Sequence, residues 1–304
     1  MDSPAPTRVK ELLREFVAAG STEVTPHDES KLADFAREIP AGYRVYVAHT
    51  PKATLDDVVR VALKLERLGL APSPHIVARR VTSRDSLRRA LDTLASRDIR
   101  QILLIAGDRP DSAGPFTDTL QLLETGVTME AGISRVGVAG HPEGHPTVAD
   151  DRLWEALVRK QAFGAASGTQ LHIATQFGFD SRALYAWEQG LASRGVTLPI
   201  HAGVAGPTPF ARLVKYAMHC GVGASLQAVS GNPLSFSRLP HLVTKADEML
   251  LGVFRAKHLN PVSRIFAPHF FAFGGVLETA RWVRRVVEAS FELDSAERGF
   301  SIHN

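Results

Sequence analysis

Eight short, apolar, β-rich runs recur along this chain at a spacing of roughly 25 to 35 residues, the length of one strand-plus-helix unit. They are STEVT (21–25), YRVYVAH (43–49), PHIVAR (74–79), QILLIAG (101–107), RVGVAG (135–140), QLHIATQ (170–176), LPIHAGV (198–204) and SRIFAPH (263–269). Between them, apolar residues fall at helical spacing. Leu55, Val58, Val59, Ala62 and Leu65 mark one helical face, with Thr54 placed to cap its start and Gly69 just past its end. Leu87, Ala90, Leu91, Leu94 and Ala95 mark another. Asp180 can cap a third that carries Ala183, Leu184, Trp187 and Leu191. Eight such repeats predict a (β/α)8 TIM barrel. A doubly wound sheet is the runner-up, but no G-x-G-x-x-G turn follows any of the strands.

The 304 residues suit one barrel with additions, since such a domain typically needs ~250. Residues 1–19 read as an extra N-terminal amphipathic helix. Residues 221–262 read as a Gly/Pro/Ser loop and a long helix, 240–257, and residues 291–304 as a loose polar tail. No linker divides the chain, so 1–304 is expected to be a single domain.

Charge and cysteine content exclude several classes. The 35 basic and 32 acidic residues are interspersed and leave a net charge of +3. No basic run carries interleaved aromatics, which argues against nucleic acid, while a modest positive field favours an anionic ligand. Cys220 is the single cysteine, so no disulfide forms within the chain, as suits a reducing compartment. It sits in a helix-like stretch with no base beside it and reads as a buried side chain. The N-terminal stretch lacks a signal-peptide apolar core, and no apolar run approaches the ~20 residues of a membrane span. A cytoplasmic location is expected.

In a barrel of this type, chemistry gathers at the carboxyl ends of the strands. The polar residues there are Glu23, His49, His75, Asp108, His141 to His145, Gln176, His201 and His269. Strand alternation puts His172, Ala174 and Gln176 on one face of the sixth strand, and Ile102, Leu104, Ala106 and Asp108 on one face of the fourth. Gln176 and Asp108 are thereby expected at one barrel mouth. Each has a plainer reading. A strand-end carboxylate is as often a helix cap or an ion-pair partner, and a lone histidine such as His172 is more often a hydrogen-bonded core residue. His141 and His145 lie four apart in GHPEGHP, as metal ligands can. Pro142 and Pro146 disfavour a helix there, so the two need not converge. The first strand also lacks an H-x-H pair, so no metal site is expected. A metal-dependent barrel hydrolase using the mouth histidines stays open as a competing reading.

Six motifs, in order, resemble those of the methylenetetrahydrofolate reductase family. STEVTPH is similar to the family's S-F-E-F-F-P-P, SPHIVA to A-P-H-L-T, and IAGDRP to L-R-G-D-x-P. VAGHPEGHP is similar to A-x-Y-P-E-x-H-P, LVRKQAFGA to K-R-K-x-x-A-G-A, and TQFGFD to T-Q-F-F-F-D. The match runs from about residue 21 to 215. It implies reduction of 5,10-methylenetetrahydrofolate to 5-methyltetrahydrofolate, a step of one-carbon metabolism that serves methionine biosynthesis. By the same resemblance Glu23 is the general acid and Asp108 an ionised partner of the pterin. Gln176 contacts the substrate; Phe177, beside it, reads either as a substrate-binding wall of the pocket or as a core residue. His49, His75, His141, His145, Arg159 and Lys160 line the cofactor groove.

The departures from the family pattern bear on the cofactor. The arginine of R-G-D is Ala106, the aromatic of Y-P-E is His141, and Ala48 and His49 replace a threonine and a tyrosine. Leu153 and Ala156 stand where the family has polar contacts to FAD. Losing several charge-assisted contacts, at about 1–3 kcal/mol each, weakens the grip on a diphosphate. FAD is therefore expected to be absent or weakly bound, with NAD(P)H, NADH favoured, giving hydride directly; the alternative is FAD-dependent ping-pong transfer. HFFAFGG (269–275) stands where the family's arginine for the folate glutamate tail is expected. No residue pattern points to an oligomeric state.

Overall fold

A computed structural model describes residues 6–108, 111–178, 180–209, 246–295 and 299–302. Its centre is a closed ring of eight parallel strands in sequence order. These are β1 (Ser21–Val24), β2 (Arg44–Val47), β3 (Ala71–Val77), β4 (Gln101–Ile105), β5 (Arg135–Gly140), β6 (Gln170–Gly178), β7 (Ile200–Ala205) and β8 (Ile265–Phe271). The ring closes where Ser21 and Thr22 of β1 pair with His269 and Phe270 of β8. The expected (β/α)8 barrel is present, and each sequence-derived run overlaps one strand.

Helices pack outside the ring because outward strand residues are apolar. Val45, Val47, Ile102, Leu104, Leu171 and Ile173 join helical Val58, Val61, Leu65, Leu87 and Leu91 in one buried core. Thr54 caps the helix Leu55–Arg67 by accepting from the Asp57 backbone N–H, and the Asp57 carboxylate accepts in return from Thr54. This reciprocal pair satisfies two otherwise orphaned donors. Asp180 likewise accepts from Arg182 N–H at the start of Ser181–Ser193. The extra N-terminal helix, Pro6–Ala18, buries Leu13, Phe16 and Val17. Tyr43 Oη donates to the Val17 carbonyl and ties it to the ring. No helix among the described residues is long and apolar enough to cross a membrane.

Three expectations need correction or bounding. The tail is not loose: Phe291–Leu293 and Phe300–Ile302 pair antiparallel. Phe291 and Phe300 are buried, and Phe300 N–H donates to Asp247. The polar residues between them masked two apolar anchors. On β4, Leu103 and Ile105 face the barrel interior with Tyr46 and Ala174, whereas Ile102 and Leu104 face the helices. The face assigned to Asp108 by alternation is thus the outer one. Finally, the helix read at 240–257 is described over Ala246–Leu259; its first residues, Cys220 and the whole of the preceding loop lie outside the described residues.

Candidate active site

Alternation on β1 turns Ser21 and Glu23 inward. Ser21 Oγ lies 2.8 Å from His269 Nδ1. Glu23 sits one inward step nearer the carboxyl end, in register with Tyr46. Burial, with a contribution from the Asp28 carboxylate, pushes Glu23 up to about 8. Water no longer solvates the anion, so the neutral acid is favoured. Asp28 is fixed by Thr25, whose N–H (3.1 Å) and Oγ1 (2.8 Å) both donate to its carboxylate.

Beneath Glu23 the interior is aromatic and imidazole-rich. Tyr46 Oη and His172 Nε2 are 2.8 Å apart. Tyr46 also meets His269 and His75 edge-on, at centroid distances of 4.7 and 5.7 Å, and His172 lies 4.7 Å from His201. Burial pushes His75, His172 and His269 down to about 3 and His201 down to about 2. All four are neutral at neutral pH. His172 is the hydrogen-bonded core residue the plainer reading expected. His75 also lies in this packed layer, its Nε2 buried without a hydrogen-bond partner.

Asp108 follows β4 by a different route from simple alternation. β4 ends at Ile105, and Gly107 adopts φ +101°, where a Cβ would lie 2.5 Å from Val77 Cγ1. Only glycine fits such a turn, and it releases Asp108 from strand parity. Asp108 is exposed and pairs with Arg80 at 3.2 Å. Arg80 also donates to the His49 carbonyl at 2.8 Å. Arg79 donates to the carbonyls of Thr117 (3.0 Å) and Gly107 (3.2 Å). Sequence reasoning did not single out these two arginines; their signal was a basic pair directly after an apolar strand. His49 itself is buried, with Nε2 3.2 Å from the Ala53 carbonyl. Burial, with Arg80 nearby, lowers it to about 4.

After β5, His141 and His145 converge despite the flanking prolines, their rings edge-to-face at 5.1 Å. The loop, not a helix, brings them together: Thr147 N–H donates to His145 Nδ1 at 3.2 Å. Burial lowers His141 to about 4, with His145 and Lys160 acting in the same direction. Lys160 is lowered by burial to about 8, partly offset by Asp118. Arg159, one residue earlier on the helix Asp150–Ser167, is exposed. Consecutive helical residues point about 100° apart, so this pair divides. Among the described residues, no three His, Cys, Asp or Glu side chains group as a metal site.

A β-bulge resolves the end of β6. Ala174 is in register with His201, but Phe177 with Gly203, so β6 carries one extra residue against β7. Phe177 therefore takes the inward register position that simple alternation gave to Gln176. The bulge fits because residue 203 is glycine: a Cβ there would lie 2.5 Å from the Gln176 carbonyl oxygen. Gln176 is half-buried, and its Oε1 accepts from Phe177 N–H at 3.1 Å. Phe177 packs against Phe271 (5.3 Å) and Phe273 (4.8 Å), an aromatic wall beside the mouth.

A closed parallel ring whose polar side chains gather past its carboxyl ends defines the class of (β/α)8 barrel proteins. Among solved structures, oxaloacetate acetylhydrolase bound to its product oxalate is similar in fold, with a TM-score of 0.50 and 10% identity. That match covers 92% of this chain and 84% of the other. Dihydropteroate synthase (FolP) from Thermus thermophilus aligns with a TM-score of 0.46 and 13% identity, covering 88% and 90% of the two chains. Residues 33–226 match the methylenetetrahydrofolate reductase family, and the chain belongs to it. The matched span holds every candidate site residue named above from His49 to Phe177; Glu23 lies just ahead of it.

Proposed function

We propose that this protein reduces 5,10-methylenetetrahydrofolate to 5-methyltetrahydrofolate, with NAD(P)H, NADH favoured, passing hydride directly to the substrate. The observation that carries this reading is Glu23. It is a carboxyl group at the barrel mouth whose burial keeps it protonated at neutral pH.

The reaction needs an acid beside N10 and an open path to the methylene carbon. Glu23 delivers its proton to N10 as the methylene–N10 bond breaks, leaving an iminium at N5. Hydride from the dihydronicotinamide then forms the new C–H bond, giving the methyl group and NAD(P)+. Glu23 regains its proton from solvent. Asp108, held by Arg80, offers a carboxylate oxygen to pterin N–H groups and stabilises the developing cation. Gln176 has committed its Oε1 to the backbone, which leaves its NH2 group to donate to the pterin carbonyl. Phe177, Phe271 and Phe273 shield the reacting carbon from water. Lys160 supplies a cation for the dinucleotide phosphates.

The residues present fit a tightly bound FAD poorly. Ala106 has no guanidinium, and Leu153 and Ala156 offer no side-chain hydrogen bond. Arg79 and Arg80 direct N–H groups at carbonyls and at Asp108. This supports the direct route over the flavin-mediated one. An anaerobic assay of NADH oxidation by methylenetetrahydrofolate, with and without added FAD, tests it. Turnover without flavin is expected. Stoichiometric flavin absorption in the purified protein, or turnover only with FAD, would overturn direct transfer and leave the ping-pong version.

A further inference from the structure

At the opposite, amino-terminal end of the barrel, a cavity of about 550 Å³ opens to solvent. Its charged lining is four arginines, Arg44, Arg97, Arg100 and Arg135, against two acids, Glu66 and Asp98. The acids are already engaged. Arg97 holds Glu66 at 2.9 Å, and Arg100 pairs with Asp98 at 3.1 Å. Arg44 makes a 3.5 Å contact to the Ala19 carbonyl, and neither it nor Arg135 has an acidic partner among the described residues.

These two are placed by the strands rather than by flexible loops. Arg44 opens β2 and Arg135 opens β5, each two residues before an inward position, Tyr46 and Gly137. Alternation therefore points both under the barrel interior. Their charges reach it: both push the His172 imidazole toward its neutral form, and Arg44 does the same to His201. Gln101, in register beside Arg135, and Ser134 add neutral hydrogen-bonding groups to the wall. Two unneutralised guanidiniums on rigid strand ends, in a pocket of this size, make a receptor for a small anion with two or more charges.

We propose that this cavity binds a compact phosphate or carboxylate polyanion, at a site separate from the mouth that holds Glu23. Isothermal titration of the full chain with pyrophosphate and, separately, with citrate tests it. One saturable site is expected for at least one of them. Binding should weaken about tenfold or more in Arg135→Gln, the loss of one charge-assisted contact. It should be unchanged in Lys160→Gln, which alters the other end. Arg135 is exposed, so its replacement leaves the fold intact. Pyrophosphate alone binding would assign a phosphate ligand, and citrate alone a carboxylate. No saturable binding by either, equal affinity in Arg135→Gln, or loss confined to Lys160→Gln would each overturn the proposal.

Discussion

Tyr46 and His172 meet inside the barrel from strands on opposite sides of the ring, Oη to Nε2 at 2.8 Å. Both side chains are buried, so the bond fixes both rings and, through them, the layer beneath Glu23. Tyr46→Phe keeps the ring but strands the imidazole nitrogen. The expected loss is about 1–3 kcal/mol of unfolding free energy, read as a lower urea midpoint. An unchanged midpoint would mean that His172 finds another partner.

Glu23→Gln should cut kcat by about 10²- to 10⁴-fold, the usual contribution of a positioned acid, with methylenetetrahydrofolate affinity changed only a few-fold. The wild-type pH profile follows from the raised carboxyl. The protonated form is the active one, so activity holds below about 8 and declines as pH rises through it. Lys160 titrates in the same range. The residual activity of Glu23→Gln separates the two, because it should lose the alkaline decline. Persistence of that decline would assign it to the lysine.

The buried histidines make acid lability a property of the fold. His75, His172, His201 and His269 bind protons far more weakly folded than unfolded. Below the ordinary imidazole value of ~6.5 the unfolded chain takes up more protons. Their contribution to stability is thus complete above that pH and lost as pH falls toward about 3. Each histidine removes up to about 1.4 kcal/mol per pH unit. Urea midpoints at neutral pH and one unit below the ordinary imidazole value should differ clearly; equal midpoints would contradict the buried, neutral assignment.

Lys160→Gln should raise the KM for NAD(P)H about tenfold or more, whereas Arg159→Gln should change it less than about twofold, as exposed charges do. The reverse order would show that the helix presents its other face to the dinucleotide.

The barrel was legible because its two periodicities, alternating strands and 3.6-residue helices, are written in the same apolar residues that build the core. Thr54 and Asp180 were legible for the same local reason, a capping side chain next to the donors it satisfies. What sequence reasoning missed depends on single residues that break a period. The bulge before Phe177 shifts alternation by one, and Gly107 turns Asp108 away from the strand's own geometry. Arg80 and Asp108 lie 28 positions apart and meet through a loop, which no period encodes. Phe291 and Phe300 were hidden because a hairpin needs only two anchors, and polar residues dominated the window around them.

The closing join between β1 and β8 has a kinetic consequence. It consists of two register pairs, supported by the Ser21–His269 contact and by Thr22 donating to the Phe270 carbonyl across 248 positions of chain. Contacts that remote form late, because the intervening chain must first be ordered. The ring is thus a zip with a short last tooth, and the strand that carries the proposed acid lies at that tooth.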